Sequence, residues 1–202
     1  MTRLLLALML CIPRGGAAAC PMDIIGLGDS VVYMSNLALY TLSTTRGWHA
    51  YWNYGISGET SAQILARTPT ALLRDPDYVW LDGGLNDLVH AVTTETYLAN
   101  MESILALIDA AGATPILMLI SPDTGVSNTL MQLSDAWNAA LTTIASGYGA
   151  IVIDVRPVLG VFRVGGDPGN LWDGSPITTY DGVHPSAAGC IAIADVIATV
   201  VP

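Results

Sequence analysis

The sequence predicts a three-layer α/β/α sandwich around a five-stranded parallel sheet. Five short apolar runs are near-continuous rather than alternating, as strands buried on both faces require. Helical periodicities lie between those runs, so strand and helix alternate along the chain. The chain has 202 residues, 52% hydrophobic and 12% charged, which suits one packed domain and excludes a disordered chain.

In chain order, the expected strands are 23–27, 49–53, 78–81, 114–120 and 150–155. Tyr97, Met101, Ile104, Leu105 and Ile108 recur three and four apart and form one helical stripe, with Gly112 expected as its C-cap. Leu130, Leu133, Trp137, Leu141 and Ile144 repeat the pattern before Gly147. A last apolar helix is expected from about Ser186 to Val200, just after Pro185. The segment 164–179, rich in Gly, Pro and Asp, reads as a long loop. Right-handed crossovers bring the strand C-termini to one edge, where chemistry is expected.

Residues 1–19 have the pattern of a signal peptide. Arg3 supplies the positive start, Leu4 to Ile12 a short apolar run, and Ala17-Ala18-Ala19 a small-residue cleavage site. The domain is then expected over 20–202, exported to the periplasm or the medium. Nine apolar residues are too few to span a bilayer, and no later run is long enough. Cleavage after Ala19 would expose Cys20 for a lipid anchor, although Ala17 stands where such signals carry Leu. Cys20 and Cys190 have three open fates: a disulfide, a lipid anchor at Cys20, or two free thiols. Spacing alone does not choose among them.

The chain has no lysine and a net charge of −10; without residues 1–19, 17 acidic residues face five arginines. Such a surface repels phosphate backbones and anionic headgroups, so nucleic acid is excluded as a partner. No CxxC or Cys/His cluster is present, so no metal site is expected.

The first strand runs into Gly26-Leu27-Gly28-Asp29-Ser30. A dinucleotide fingerprint fails here, because Val31 stands where the third glycine belongs and no acid follows at the right distance. Ser30 therefore meets the start of a helix, where the dipole favours a developing oxyanion; a serine that merely caps the helix would look the same. Gly58, after the second strand, either offers a backbone N–H to a ligand or simply makes a turn. Asn86, after the third strand in Gly84-Leu85-Asn86-Asp87, either aims its amide into a cleft or serves the turn. In Asp181-Gly182-Val183-His184-Pro185, a carboxylate three residues before an imidazole can meet Nδ1–H and leave Nε2 free to take a proton. Pro185 holds His184 extended and outside the helix. His49 and His90 lack an Asp at that spacing and read as structural.

Taken together and in this order, Gly28-Asp29-Ser30, Gly58, Gly84-x-Asn86-Asp87 and Asp181-x-x-His184 resemble the four blocks of the SGNH hydrolase (GDSL-like) family. One departure is Val31, where the family's GDSL motif has Leu. The resemblance implies a flavodoxin-like SGNH hydrolase fold and a serine esterase or lipase acting on carboxylic esters. Ser30 would be the nucleophile, His184 the general base, and Asp181 its orienting partner. The oxyanion hole would combine the Ser30 N–H, the Gly58 N–H and the Asn86 side chain, with no metal or other cofactor. There is no G-x-S-x-G elbow at Ser30 or Ser57. Short-chain acyl esters are the expected substrates, with carbohydrate O-acetyl esters as the alternative. Trp172 and Tyr180 are candidates for a stacking wall, and Asp82, Asp87 and Asp173 for negative charge near the cleft. A non-catalytic α/β binding module is the reading from another class; a serine-reactive probe separates it from an enzyme.

Overall fold

The structure is a computed structural model that describes residues 22–48, 50–121, 128–162, 172–174, 179, 181 and 183–201. Strands β1 (Asp23–Gly28), β2 (Ala50–Gly55), β3 (Tyr78–Leu81), β4 (Thr114–Met118) and β5 (Ile151–Ile153) form one sheet in the order β2-β1-β3-β4-β5. Every neighbouring pair in it is parallel. The order reverses between β2 and β3 on either side of β1, and such a switch point opens a crevice at the strand C-termini.

Alternate residues of each strand face opposite layers, which explains the continuous apolar runs. Ile24, Trp80, Ile116 and Met118 face helices α2 (Asn36–Arg46) and α8 (Ala187–Val200), whose Leu39, Leu42, Ile193 and Ile197 are fully buried there. Ile25, Leu27, Val79, Leu81 and Leu117 face the other layer. It contains α3 (Ser61–Leu72), α5 (Thr94–Ala110) and α6 (Asn128–Ser146). Short helices α1 (Ser30–Met34) and α4 (Leu85–Val89) lead directly away from β1 and β3, and α7 (Arg156–Leu159) follows β5.

The expected α/β/α sandwich and its five parallel strands are present, with altered boundaries. β2 continues past Asn53 to Gly55, because its pairing with β1 persists to Gly28 opposite Gly55. β4 stops at Met118: beyond it the Asn138 side chain accepts from the Ile120 N–H at 2.8 Å and donates to the Ile120 carbonyl at 3.1 Å, replacing a strand neighbour. β5 ends at Ile153 because the Asp154 carboxylate takes the Arg156 N–H at 3.0 Å and turns the chain into α7. Ala111, not Gly112, caps α5, and Gly112 follows with φ at 80°. Ser186 caps α8, its hydroxyl accepting from the Gly189 N–H. Within the expected loop 164–179, Trp172–Gly174 forms a strand, β7, antiparallel to β6 (Gly160–Phe162). Three residues are too few for a legible alternation. The expected leader 1–19, Cys20, His49, Tyr180 and Gly182 lie outside the described residues.

Candidate active site

Ser30 opens α1 at the point where β1 ends, on the edge of the sheet where the strands terminate. The capping role is filled by Asp29, whose Oδ1 accepts from the Val31 N–H at 3.0 Å. Ser30 is thus the first helical residue and half-exposed; among the described residues, its N–H meets no backbone or side-chain acceptor. The approach of α1 to the sheet depends on missing side chains. A Cβ on Gly28 would stand 2.7 Å from Val32 Cγ2, and one on Gly55 would overlap the Tyr33 backbone. Asn53 completes the seat, donating from Nδ2 to the Val32 carbonyl at 2.8 Å and the Tyr33 carbonyl at 3.1 Å.

Gly58 lies in the exposed loop after β2 with φ at 81°, a conformation that glycine adopts without strain. Among the described residues its N–H also meets no acceptor. The next residue, Glu59, is tied down by Arg67 of α3: Arg67 Nε donates to Glu59 Oε2 at 2.5 Å. The same guanidinium donates from Nη1 to the Tyr54 carbonyl at 2.5 Å and from Nη2 to the Gly28 carbonyl at 2.7 Å.

After β3, Gly84 has φ at 126°, and a side chain there would meet Tyr97 Oη at 2.7 Å and Ile120 Cδ1 at 2.8 Å. The tight turn brings Asn86 in α4 over the end of β1. Asn86 Nδ2 donates to Asp29 Oδ2 at 2.9 Å and to the Glu59 carbonyl at 3.0 Å, joining all three loops. Asp87 has a different task. It is buried, and its carboxylate accepts from the Ser61 N–H at 2.8 Å and the Ser61 hydroxyl at 2.5 Å, at the positive N-terminus of α3. Asp87 therefore docks α4 onto α3 and adds no exposed charge to the cleft. Burial raises its carboxyl above the ordinary carboxylate range, and the bonds from Ser61 oppose that.

The last segment ends beside these loops. Asp181 Oδ1 accepts from the Val183 N–H at 3.0 Å and the His184 N–H at 2.8 Å, while Oδ2 lies 2.6 Å from His184 Nδ1. The turn leaves Nε2 on the far side of the ring. An antiparallel bridge between Thr179 and Pro185 braces it. Burial pushes the Asp181 carboxyl up, but the hydrogen bonds from the His184 ring and from the two N–H groups outweigh it and hold the group below the ordinary range.

Asp29, the residue before Ser30, feels the charge of this segment. Burial pushes its carboxyl up to about 6, against the Val31 N–H and a positive charge on His184, both of which lower it. The imidazole thus lies within electrostatic reach of the residue preceding Ser30. Asp82, also buried, is raised well above the carboxylate range, first by burial and then by the negative charge of Asp29. Two buried carboxyls that repel each other in this way disfavour simultaneous ionisation.

The structure brings the sequence-predicted residues Ser30, Gly58, Asn86, Asp181 and His184 to one edge of the sheet. His90 instead ends α4 and is exposed. Sequence reading missed Asp29 as a junction, and it missed Glu59 and Arg67 entirely. Arg67 carried one signal: it is one of only seven basic residues in the chain. Among the described residues no group of three or more His, Cys, Asp or Glu could hold a metal ion. None of the described helices is long and apolar enough to cross a membrane.

A five-stranded parallel sheet wound with helices on both faces, and a switch point at β1, is the flavodoxin-like class of fold that the four SGNH-like sequence blocks implied. The profile of the GDSL-like Lipase/Acylhydrolase family matches residues 27–190, and the chain belongs to that family. Comparison with curated protein sequences gives no match. Among solved structures, a GDSL-like lipase from Bacteroides thetaiotaomicron VPI-5482 is 22% identical, with 91% of each chain covered and a TM-score of 0.72. A putative lipolytic protein of the G-D-S-L family from Desulfitobacterium hafniense DCB-2 is 21% identical, covering 89% of this chain and 99% of that one, at a TM-score of 0.73. An acetyl xylan esterase, AlAXEase, is 19% identical, covering 90% of this chain and all of that one, at 0.72. At these identities the likeness establishes a shared fold.

Proposed function

We propose that the protein is a serine ester hydrolase that cleaves short-chain acyl esters through an acyl-enzyme on Ser30. The observation that carries this reading is the Asp181–His184 pair, 2.6 Å apart, with its imidazole within electrostatic reach of Asp29 beside Ser30. Asp181 fixes the tautomer that keeps its proton on Nδ1, so Nε2 takes the Ser30 Oγ proton as the oxygen attacks the ester carbonyl. The carbonyl oxygen becomes an oxyanion, received by the N–H groups of Ser30 and Gly58. The Asn86 amide supplies the third donor by turning one N–H from the Glu59 carbonyl to the new charge. His184 then gives its proton to the leaving alcohol. Water repeats the attack and frees the acid.

The acidic surface disfavours anionic substrates and supports a neutral ester. Carbohydrate O-acetyl esters belong in the same test panel, since an acetyl xylan esterase has this fold. A fluorophosphonate probe should label Ser30, and Ser30→Ala should abolish hydrolysis of an aryl acetate while leaving the melting temperature unchanged. Near-wild-type turnover by that variant would overturn the assignment.

A further inference from the structure

Arg67 bonds directly to two of the three segments from which the oxyanion donors of the proposed site emerge, and it reaches the third through Glu59. Its guanidinium holds the Gly28 carbonyl at 2.7 Å, two residues before Ser30, and the Tyr54 carbonyl at 2.5 Å, at the end of β2. Its Nε holds Glu59, the residue after Gly58, at 2.5 Å. Through the Glu59 main chain it also bears on Asn86, whose Nδ2 donates to the Glu59 carbonyl at 3.0 Å. Arg67 and Glu59 side chains are only 19% and 14% exposed, so the pair is shielded from the screening that weakens surface ion pairs. A planar fork with five N–H groups can satisfy three acceptors in fixed directions, and a lysine ammonium on a flexible stem cannot reproduce that plane.

We propose that Arg67 is a positioning residue for ester hydrolysis: it sets the relative placement of the Ser30 N–H, the Gly58 N–H and the Asn86 amide without touching substrate. The Gly28 carbonyl explains why an arginine is needed there. That oxygen already accepts from the Ile56 N–H at 3.0 Å, and the guanidinium adds a second bond that pins the last peptide of β1 against the start of the next loop. Donors preorganised in this way act where charge develops, so their misplacement lowers turnover more than binding.

The proposal rests on the assignment of Ser30, Gly58 and Asn86 above, and the experiment separates the two. Wild type, Ser30→Ala, R67M, R67K, N86A and the R67M/N86A double variant are assayed on an aryl acetate, with circular dichroism and thermal melts as controls for folding. We expect R67M to lower kcat by about 10²-fold with KM within about threefold, as for loss of transition-state contacts. R67K should recover less than about a tenth of the wild-type kcat, since charge without the fork is insufficient. The R67M and N86A losses should combine to at least about tenfold less than their product, because both act on the same donor set. Wild-type kcat in R67M or R67K, a change confined to KM, or losses that multiply would overturn the positioning role. If R67M does not fold, R67K and R67K/N86A replace it in the same cycle, judged by the same criteria. Activity retained by Ser30→Ala would instead overturn the site assignment, and the role of Arg67 with it.

Discussion

At the scale of single residues, the cleft is organised by carboxylates doing different work. Asp181 is held ionised by three donors, Asp87 is bonded to Ser61, and Asp29 bridges Val31 and Asn86. Asp82 is the outlier, since burial and the Asp29 charge raise its carboxyl well above the ordinary 3.8. The native state therefore retains a proton that the unfolded chain gives up above about pH 4, and stability tied to this group falls as pH rises from there. Asp82→Asn removes that titration. We expect its melting temperature, relative to wild type, to climb progressively from pH 4 to pH 7, at about 2–4 °C for each kcal/mol. A constant offset across that range, measured by calorimetry, would show that the Asp82 proton is not responsible. Ser30, His184 and Asp181, the proposed nucleophile, base and orienting acid, were legible in the sequence because each lies in a short local motif at a strand or helix end. Asp29 and Arg67 were not, because their partners lie at 57 and 39 residues' separation and only folding brings them together.

At the scale of elements, the turn from β3 into α4 depends on missing side chains. Gly83 makes room for Ile64 and Gly84 for Tyr97, whose hydroxyl donates to the Gly83 carbonyl at 3.1 Å. Tyr97 is itself fixed by stacking on Trp137, with ring centroids 4.1 Å apart. Gly84→Ala would combine an unfavourable φ of 126° with a collision on Tyr97. It should cost about 1–3 kcal/mol in denaturant unfolding and lower kcat by shifting Asn86. Equal stability and turnover in that variant would mean that the turn tolerates a side chain. The strands themselves were readable because both faces are apolar. Their ends were not, since these depend on Asn138 and Asp154 side chains replacing the ladder.

At the scale of the molecule, alternation of strand and helix was enough to give the layered architecture, while the strand order was not encoded in any local pattern. It follows from which crossovers go to which face, and that is a property of the whole core. Composition supports one more expectation at this scale: residues 1–19 direct export and are removed. N-terminal sequencing of the protein recovered from the medium or the periplasm should begin at Cys20, and a product beginning at Met1 would refute processing.

The bare meeting of α1 with the sheet has a consequence for how this architecture can drift. Gly26, Gly28 and Gly55 let the segment carrying Ser30 rest close against strand backbone, with little packing between to be rebuilt. Main-chain geometry is common to all sequences. Replacement of surrounding core residues thus changes the filling of the two layers while leaving the support of the Ser30 hydroxyl almost unmoved. A scaffold anchored in this way can retain its shape when four-fifths of its residues differ, as they do between this chain and the solved structures that superimpose on it.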